Sequence, residues 1–309
     1  MTSRGKAGNI LGELTAEADG PMLRSAFYES RNFRELVRGT DFRFVVGRRG
    51  TGKSALSRKV GEALGHDKKT LLIAERPTEE VIGAWHTEIE RLCNDYLTSR
   101  KITKLAWKIQ ILTQILDTLL GYYKSDRLEY RQEMSEYRRQ NPLLFSKSGV
   151  ARGLEVFRIT RRYHSQDPAL AIPEHIADVF HMATLEKYVY SSLETIDRRV
   201  VFTYDGLDEG WVPNQVATGL LGGLAKLAAD FRESQGIHCL LFIRDNMFRA
   251  LAEFDDDYSR NIEGNTLRLH WDEETLLQMV AMRLRVAFGW RGENDIRTWN
   301  RFAKRGLEN

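Results

Sequence analysis

The stretch GRRGTGKS, residues 47–54, sets three glycines, a lysine and a serine in the spacing G-x-x-x-x-G-K-S, directly after the apolar run FVV. A loop that wraps phosphate oxygens must turn several backbone N–H groups inward. That needs the freedom of φ and the missing Cβ of glycine. Gly47, Arg48, Arg49, Gly50, Thr51, Gly52, Lys53, Ser54 and Ala55 are therefore the candidate phosphate-binding residues. In this spacing Lys53 reaches the β- and γ-phosphates and the Ser54 hydroxyl ligates Mg²⁺. A helix beginning at Lys53 would add the positive end of its dipole.

A second cluster lies in VVFTYDGLDEG, residues 200–210, an apolar run that ends in Asp205. A carboxylate delivered by a strand end beside bound phosphates holds Mg²⁺ directly or through water, so Asp205 joins Ser54 as a candidate metal ligand. The next position is Gly206, so a general base must come from Asp208 or Glu209. The longer side chain favours Glu209, and Asp208 stays open. Arg244, in FIRDN, would emerge at the carboxyl edge of the following strand and contact the γ-phosphate or the attacking water. A surface ion pair with Asp245 or a neighbour is the alternative. The catalytic candidates are thus Glu209, Asp208, Lys53 and Arg244.

Five runs have strand character, over 42–46, 70–74, 199–204, 237–243 and 266–271, the last alternating like an edge strand. Helical spacing is read over 53–64, 78–97, 102–123, 126–140, 174–196, 214–233, 247–253 and 273–288, with Asp272 as N-cap of the last. Pro142, Pro168 and Pro173 read as breaks. Strands separated by helices predict an α/β fold with a mainly parallel sheet. The expected organisation is a helical lead-in over 1–40, an α/β core from 41–77 and 197–290, a large helical insertion over 78–196, and the start of a C-terminal helical region over 291–309. The chain reads as part of a longer protein.

A formal net charge of +3 on 309 residues is too mild a basic balance to call for a nucleic-acid partner by itself. Cys93 and Cys239 read as reduced thiols, and no HExxH zinc pattern occurs. The start has no apolar h-region, and no run approaches the roughly 20 apolar residues of a membrane span, so a cytoplasmic location without membrane contact is expected. One segment is more basic: between Lys124 and Arg162 ten Lys/Arg stand against five Asp/Glu, with Tyr130, Tyr137, Phe145, Phe157 and Tyr163 among them. Cations track phosphates and aromatics stack on bases, making 124–163 the candidate nucleic-acid surface. A salt-bridged solvated helix face, as in EYRQEMSEYRR, is the competing reading.

GRRGTGKS, the strand ending in DGLDE, LLFIRDNMF and TLRLHWDEETL together resemble bacterial P-loop ATPases of the additional-strand class. The nearest likeness is to the STAND and KAP-like groups, whose Walker B motif often reads DGLDE. The resemblance spans roughly 23–77 and 197–290 and leaves out the helical region between. It implies an extra strand between the Walker A and Walker B strands and a ligand of ATP with Mg²⁺. It also implies nucleotide-driven switching or oligomerisation, with a homo-oligomer or an effector protein as partner, often in bacterial defence or signalling modules. Arg260 and Arg162 are the candidates for an arginine finger. The chain lacks the N-K-x-D motif of GTPases, and LLGGL, residues 220–224, lacks the serine of the ABC signature. The expected function is a Mg-ATP-dependent switch or assembly ATPase. The alternatives are a nucleic-acid-stimulated motor or sensor and a non-hydrolysing ATP-bound scaffold.

Overall fold

The five apolar runs all become strands: β1 (Phe44–Gly47), β2 (Thr70–Glu75), β3 (Arg199–Tyr204), β4 (Ile237–Arg244) and β5 (Thr266–Leu269). In the computed structural model, which describes residues 10–13, 15–39, 41–122, 124–162, 168–231, 236–254 and 262–307, they form one sheet of order β2-β3-β4-β1-β5. Every pairing is parallel. β4 therefore lies between the strand that feeds the glycine loop and the strand that ends before Asp205. The register sets Gly47 opposite Arg244 and Leu269, and Tyr204 opposite Glu75 and Leu241. All five carboxyl ends thus share one edge of the sheet.

The helices are α1 (Gly20–Ser25), α2 (Arg31–Arg38), α3 (Lys53–Gly65), α4 (Glu79–Glu90), α5 (Tyr96–Leu120), α6 (Arg131–Gln140), α7 (Pro142–Phe145), α8 (Arg152–Arg162), α9 (Pro168–Val179), α10 (Met182–Thr195), α11 (Gln215–Asp230), α12 (Asp245–Phe254), α13 (Glu273–Phe288) and α14 (Asp295–Leu307). Successive strand residues point to opposite faces, and here both faces are covered. Val45, Val201, Leu240, Phe242 and Leu267 pack with Phe33 and Leu36 of α2 and Leu56, Val60 and Leu64 of α3. Phe44, Val46, Val200, Phe202, Tyr204, Cys239, Leu241 and Ile243 pack with α5, α10 and α11 on the other side. Trp107 of α5 meets Tyr204 edge-on at 5.7 Å and stacks on Trp85 of α4 at 4.3 Å. Both indoles are fully buried, each burial stabilising by very roughly 2–3 kcal/mol.

LLGGL proves to be helix-packing sequence. A Cβ on Gly223 of α11, within this stretch, would clash with Thr103 Oγ1, and one on Gly219, just before it, would sit 2.5 Å from Ser99 Oγ, so only glycine at these positions lets α5 approach this closely. The contact is sealed by side chains donating to α11 carbonyls: Ser99 Oγ to Val216 O at 2.9 Å, Thr103 Oγ1 to Gly219 O at 3.0 Å and Trp107 Nε1 to Leu220 O at 3.1 Å.

Several boundaries differ from those expected. The helix read over 78–97 ends at Glu90, because Asp95 caps a new helix by accepting from Thr98 N at 2.9 Å. The helix read over 174–196 is broken at His181, in the left-handed region at φ 46°. Pro168 and Pro173 do not mark breaks: Pro168 opens α9, where a missing N–H costs nothing, and Pro173 lies inside it. Pro142 likewise opens the short α7, and α8 was not anticipated. Among its described residues the lead-in forms two short helices parted at Ser30, whose side chain caps α2. Among the described residues the segment 78–196 contributes no strand, yet its helices belong to the same buried cluster as the sheet. No described helix is long and apolar enough to cross a membrane.

Candidate functional site

Because the strands are parallel, the residues that follow β1, β2, β3, β4 and β5 converge on one edge. The glycine loop, Arg76, the segment 205–209, Arg244 and Trp271 are brought there together. The loop leaves β1 at Gly47 and turns through Gly50 and Gly52, at φ 84° and 86°. Gly52 is the N-cap of α3 and no side chain caps that helix, so its first-turn amides face the loop. Thr51 Oγ1 donates to Arg48 O at 2.9 Å and closes the turn. Lys53 Nζ reaches over the loop to Gly47 O and Arg48 O at 2.8 and 2.9 Å. Arg48 and Arg49 are exposed, and Ala55 is half-buried in the first turn of α3.

Lys53 sits among the other candidates. Burial holds its ammonium below the ordinary lysine range; the fields of Asp208 and Asp205 oppose that shift, and Arg244 adds to it. Burial pushes the Asp205 carboxyl above its usual range. A hydrogen bond from the Ser54 hydroxyl, the field of Arg76 and the Gly206 N–H act the other way. The two candidate metal ligands therefore lie close enough to influence one another. A half-buried carboxylate beside a hydroxyl is a hard oxygen pair suited to Mg²⁺, which draws few protein ligands and completes its shell with water and phosphate. Among the described residues no group of three or more His, Cys, Asp or Glu is gathered. A cation at Ser54 and Asp205 would take its remaining ligands in that way.

Arg244 pairs with Asp208, within the site. Asp245 pairs instead with Arg249 at 2.5 Å and Arg268 at 3.7 Å. Glu209 is exposed and is held by Arg76 Nη2 at 3.3 Å. Arg76 also pairs with Glu17 of the lead-in. Of the two candidate bases, Asp208 acts electrostatically on Lys53 and Asp205, whereas Glu209 lies at the rim. A cavity of about 380 Å³ opens beside Asp208 and Arg244, walled by Trp211 and Met247. A larger one, about 670 Å³, lies at the amino ends of the strands around Lys69, Arg199 and Gly236, away from these groups.

Sequence reasoning missed Arg76 and Trp271. Both follow strands at their carboxyl ends, and the rule that singled out Arg244 applies to them equally. Arg260 lies outside the described residues, as do Tyr163 and the side chain of Arg162. In the basic segment, Tyr137 and Phe157 are buried in the core and Tyr130 packs against Tyr188. Arg138 and Arg152 both pair with Asp117, at 3.2 and 2.5 Å, and Arg152 lies 4.9 Å from the Phe145 ring centre. Arg139, Arg158 and Arg161 pair with Glu136, Glu155 and Glu88. These side chains serve packing and ion pairing within the chain.

The chain is 34% identical over 302 residues to the transposon gamma-delta 80.3 kDa protein of Escherichia coli (strain K12), an alignment covering 95% of this chain and 42% of that protein. The chain thus spans less than half the length of that relative. It is also 53% identical over 60 residues to Allergen Alt a 2 of Alternaria alternata, covering 19% of this chain and 32% of the allergen. No family model matches the chain, and no solved structure matches it.

Proposed function

We propose that the chain is a P-loop ATPase module that binds ATP with Mg²⁺ and uses the nucleotide state to control assembly or an effector protein. The observation that carries this reading is that the parallel sheet brings the glycine loop after β1 and the acidic end of β3 to one edge, where Asp205 and Asp208 act on Lys53 and Ser54 acts on Asp205. The inserted position of β4 between β1 and β3 supports it, since the additional-strand resemblance implies that order.

In this reading the loop amides over 50–54 and the N-terminus of α3 bind the β- and γ-phosphates, with Lys53 neutralising them. Ser54 and Asp205 would hold Mg²⁺, which would offset the negative charge of the phosphates. Glu209 or Asp208 orients a water and takes its proton as the new O–P bond forms and the β–γ bridge breaks. Arg244 stabilises the charge on the transferred group. Lys53→Ala abolishes ATP binding in a nucleotide titration; unchanged affinity would count decisively against the reading. Glu209→Gln retains binding and loses phosphate release, and if release persists while Asp208→Asn loses it, Asp208 is the base. A variant pair that both binds and hydrolyses normally would remove both candidates. Absent turnover at every protein concentration, with tight nucleotide retention, would instead mark an ATP-bound scaffold.

The transposon in the name of the Escherichia coli relative favours a second reading, an ATPase stimulated by DNA. It expects turnover to rise with DNA and the effect to fade steeply with salt. Turnover indifferent to DNA at low salt excludes it.

A further inference from the structure

We propose that Trp271 is the platform on which the purine base of the bound nucleotide stacks; this rests on the ATP-binding reading above. Sheet order sets the direction of the ligand. Asp205, which follows β3, and Arg244, which ends β4, lie on one side of β1 and are the groups assigned above to the γ-phosphate end. β5 is the neighbour of β1 on the other side. A triphosphate lying along the loop with its γ end toward β3 and β4 therefore carries its base toward the end of β5, and Trp271 stands two residues beyond that strand.

The indole is fixed there. Trp271 Nε1 donates to Thr51 O of the glycine loop at 3.2 Å. A Cβ built on Gly52 would have Cζ2 of the indole as its sole close neighbour, at 4.0 Å. Asp272 follows at once and caps α13 through Thr275 N at 2.7 Å, which anchors the backbone. Tyr28 of the lead-in lies alongside, ring centres 6.4 Å apart and tilted by 44°. Arg283 of α13 pairs with Asp19 at 2.7 Å and ties the lead-in to this corner. Trp271 is nonetheless 38% exposed. An indole held at both its N–H and its backbone, with open surface beside a phosphate-binding loop, has the chemistry of a stacking platform. Such a platform selects large π faces and does not read base edges, so it takes purine nucleotides as a class.

Calorimetric titrations with ATP and with inorganic tripolyphosphate, on the parent, Trp271→Ala and Trp271→Phe, test this, with circular dichroism melts verifying the fold. Trp271→Ala should weaken ATP by about tenfold, the order expected for loss of one stacked base, and leave tripolyphosphate within about twofold. Trp271→Phe should restore most of the ATP affinity. Equal weakening of both ligands would mean that Trp271 only braces the loop through Thr51, and the proposal falls. So it does if ATP binding is indifferent to Trp271→Ala. A parent that binds neither ligand overturns the ATP-binding reading itself, and this proposal with it.

Discussion

Glu209, the candidate base with the longer reach, is tied to Arg76, and Arg76 is tied in turn to Glu17 of the lead-in. A carboxylate held in an ion pair at the rim is not free to orient water over the loop. Arg76→Gln should therefore raise phosphate release at saturating Mg-ATP by about 1.4- to fivefold, the rate equivalent of the roughly 0.2–1 kcal/mol typical of an exposed pair. ATP affinity should hold within about twofold. Unchanged or lost turnover would show that Arg76 does not restrain the base. At this scale much of the candidate site was legible. The glycine–lysine–serine spacing and the acid at a strand end each carry their own chemistry, so Ser54, Asp205 and Arg244 could be named before their neighbours were known. Arg76 and Trp271 fall under the same strand-end rule as Arg244, but which groups they stand beside depends on β2 lying beside β3 and β5 beside β1, an order that no local pattern encodes.

The carboxyl end of β2 also grips the helical segment. Gln114 of α5 donates to Glu75, and Val150 N donates to Glu75 Oε2 at 3.3 Å. The chain of polar contacts continues from Gln114 through Gln110 to the hydroxyl of Tyr204, which donates to Gln110 Oε1 at 3.2 Å. Burial pushes the Glu75 carboxyl above its ordinary range, against these hydrogen bonds and the field of Arg152. A folded state that raises a carboxyl pKa binds its proton more tightly than the unfolded chain does. The stability gained from that group is fully present below the ordinary value of 4.5 and is lost as pH rises through the higher folded value. Glu75→Gln removes this titration. Urea unfolding between about pH 4 and 8 should show the stability of the variant, relative to the parent, improving as pH rises through that window. A constant difference would mean that Glu75 titrates normally in the fold. Element identity was largely readable, since strands and helices announce themselves by period. The ends at Asp95 and His181 were not, because a single cap or one left-handed residue splits an apolar pattern that continues through it.

Across the whole molecule, the helical segment 78–196 was expected as an insertion beside an α/β core. It lies between adjacent strands β2 and β3, and its helices cover one face of the sheet. Trp107 and Tyr204 share that packing, and α5 is locked to α11 through glycine contacts. Replacing 78–196 by a short linker should therefore abolish cooperative thermal unfolding; a variant that still melts sharply near the parent temperature would make the segment a separable unit. The parallel sheet was foreseeable from the alternation of strands and helices. The sharing of one core was not, because helical periodicity says which face is apolar but not what covers it. In the proposed function the glycine loop and Asp205 act on one Mg-nucleotide. Calorimetry of ATP binding, with Mg²⁺ and with the metal chelated, on the parent and on Asp205→Asn, tests that most directly. The parent should bind ATP at least about tenfold more tightly with Mg²⁺, and Asp205→Asn should bind with the chelated affinity in both conditions. A parent that does not bind ATP, or a Mg²⁺ gain that survives Asp205→Asn, would contradict it.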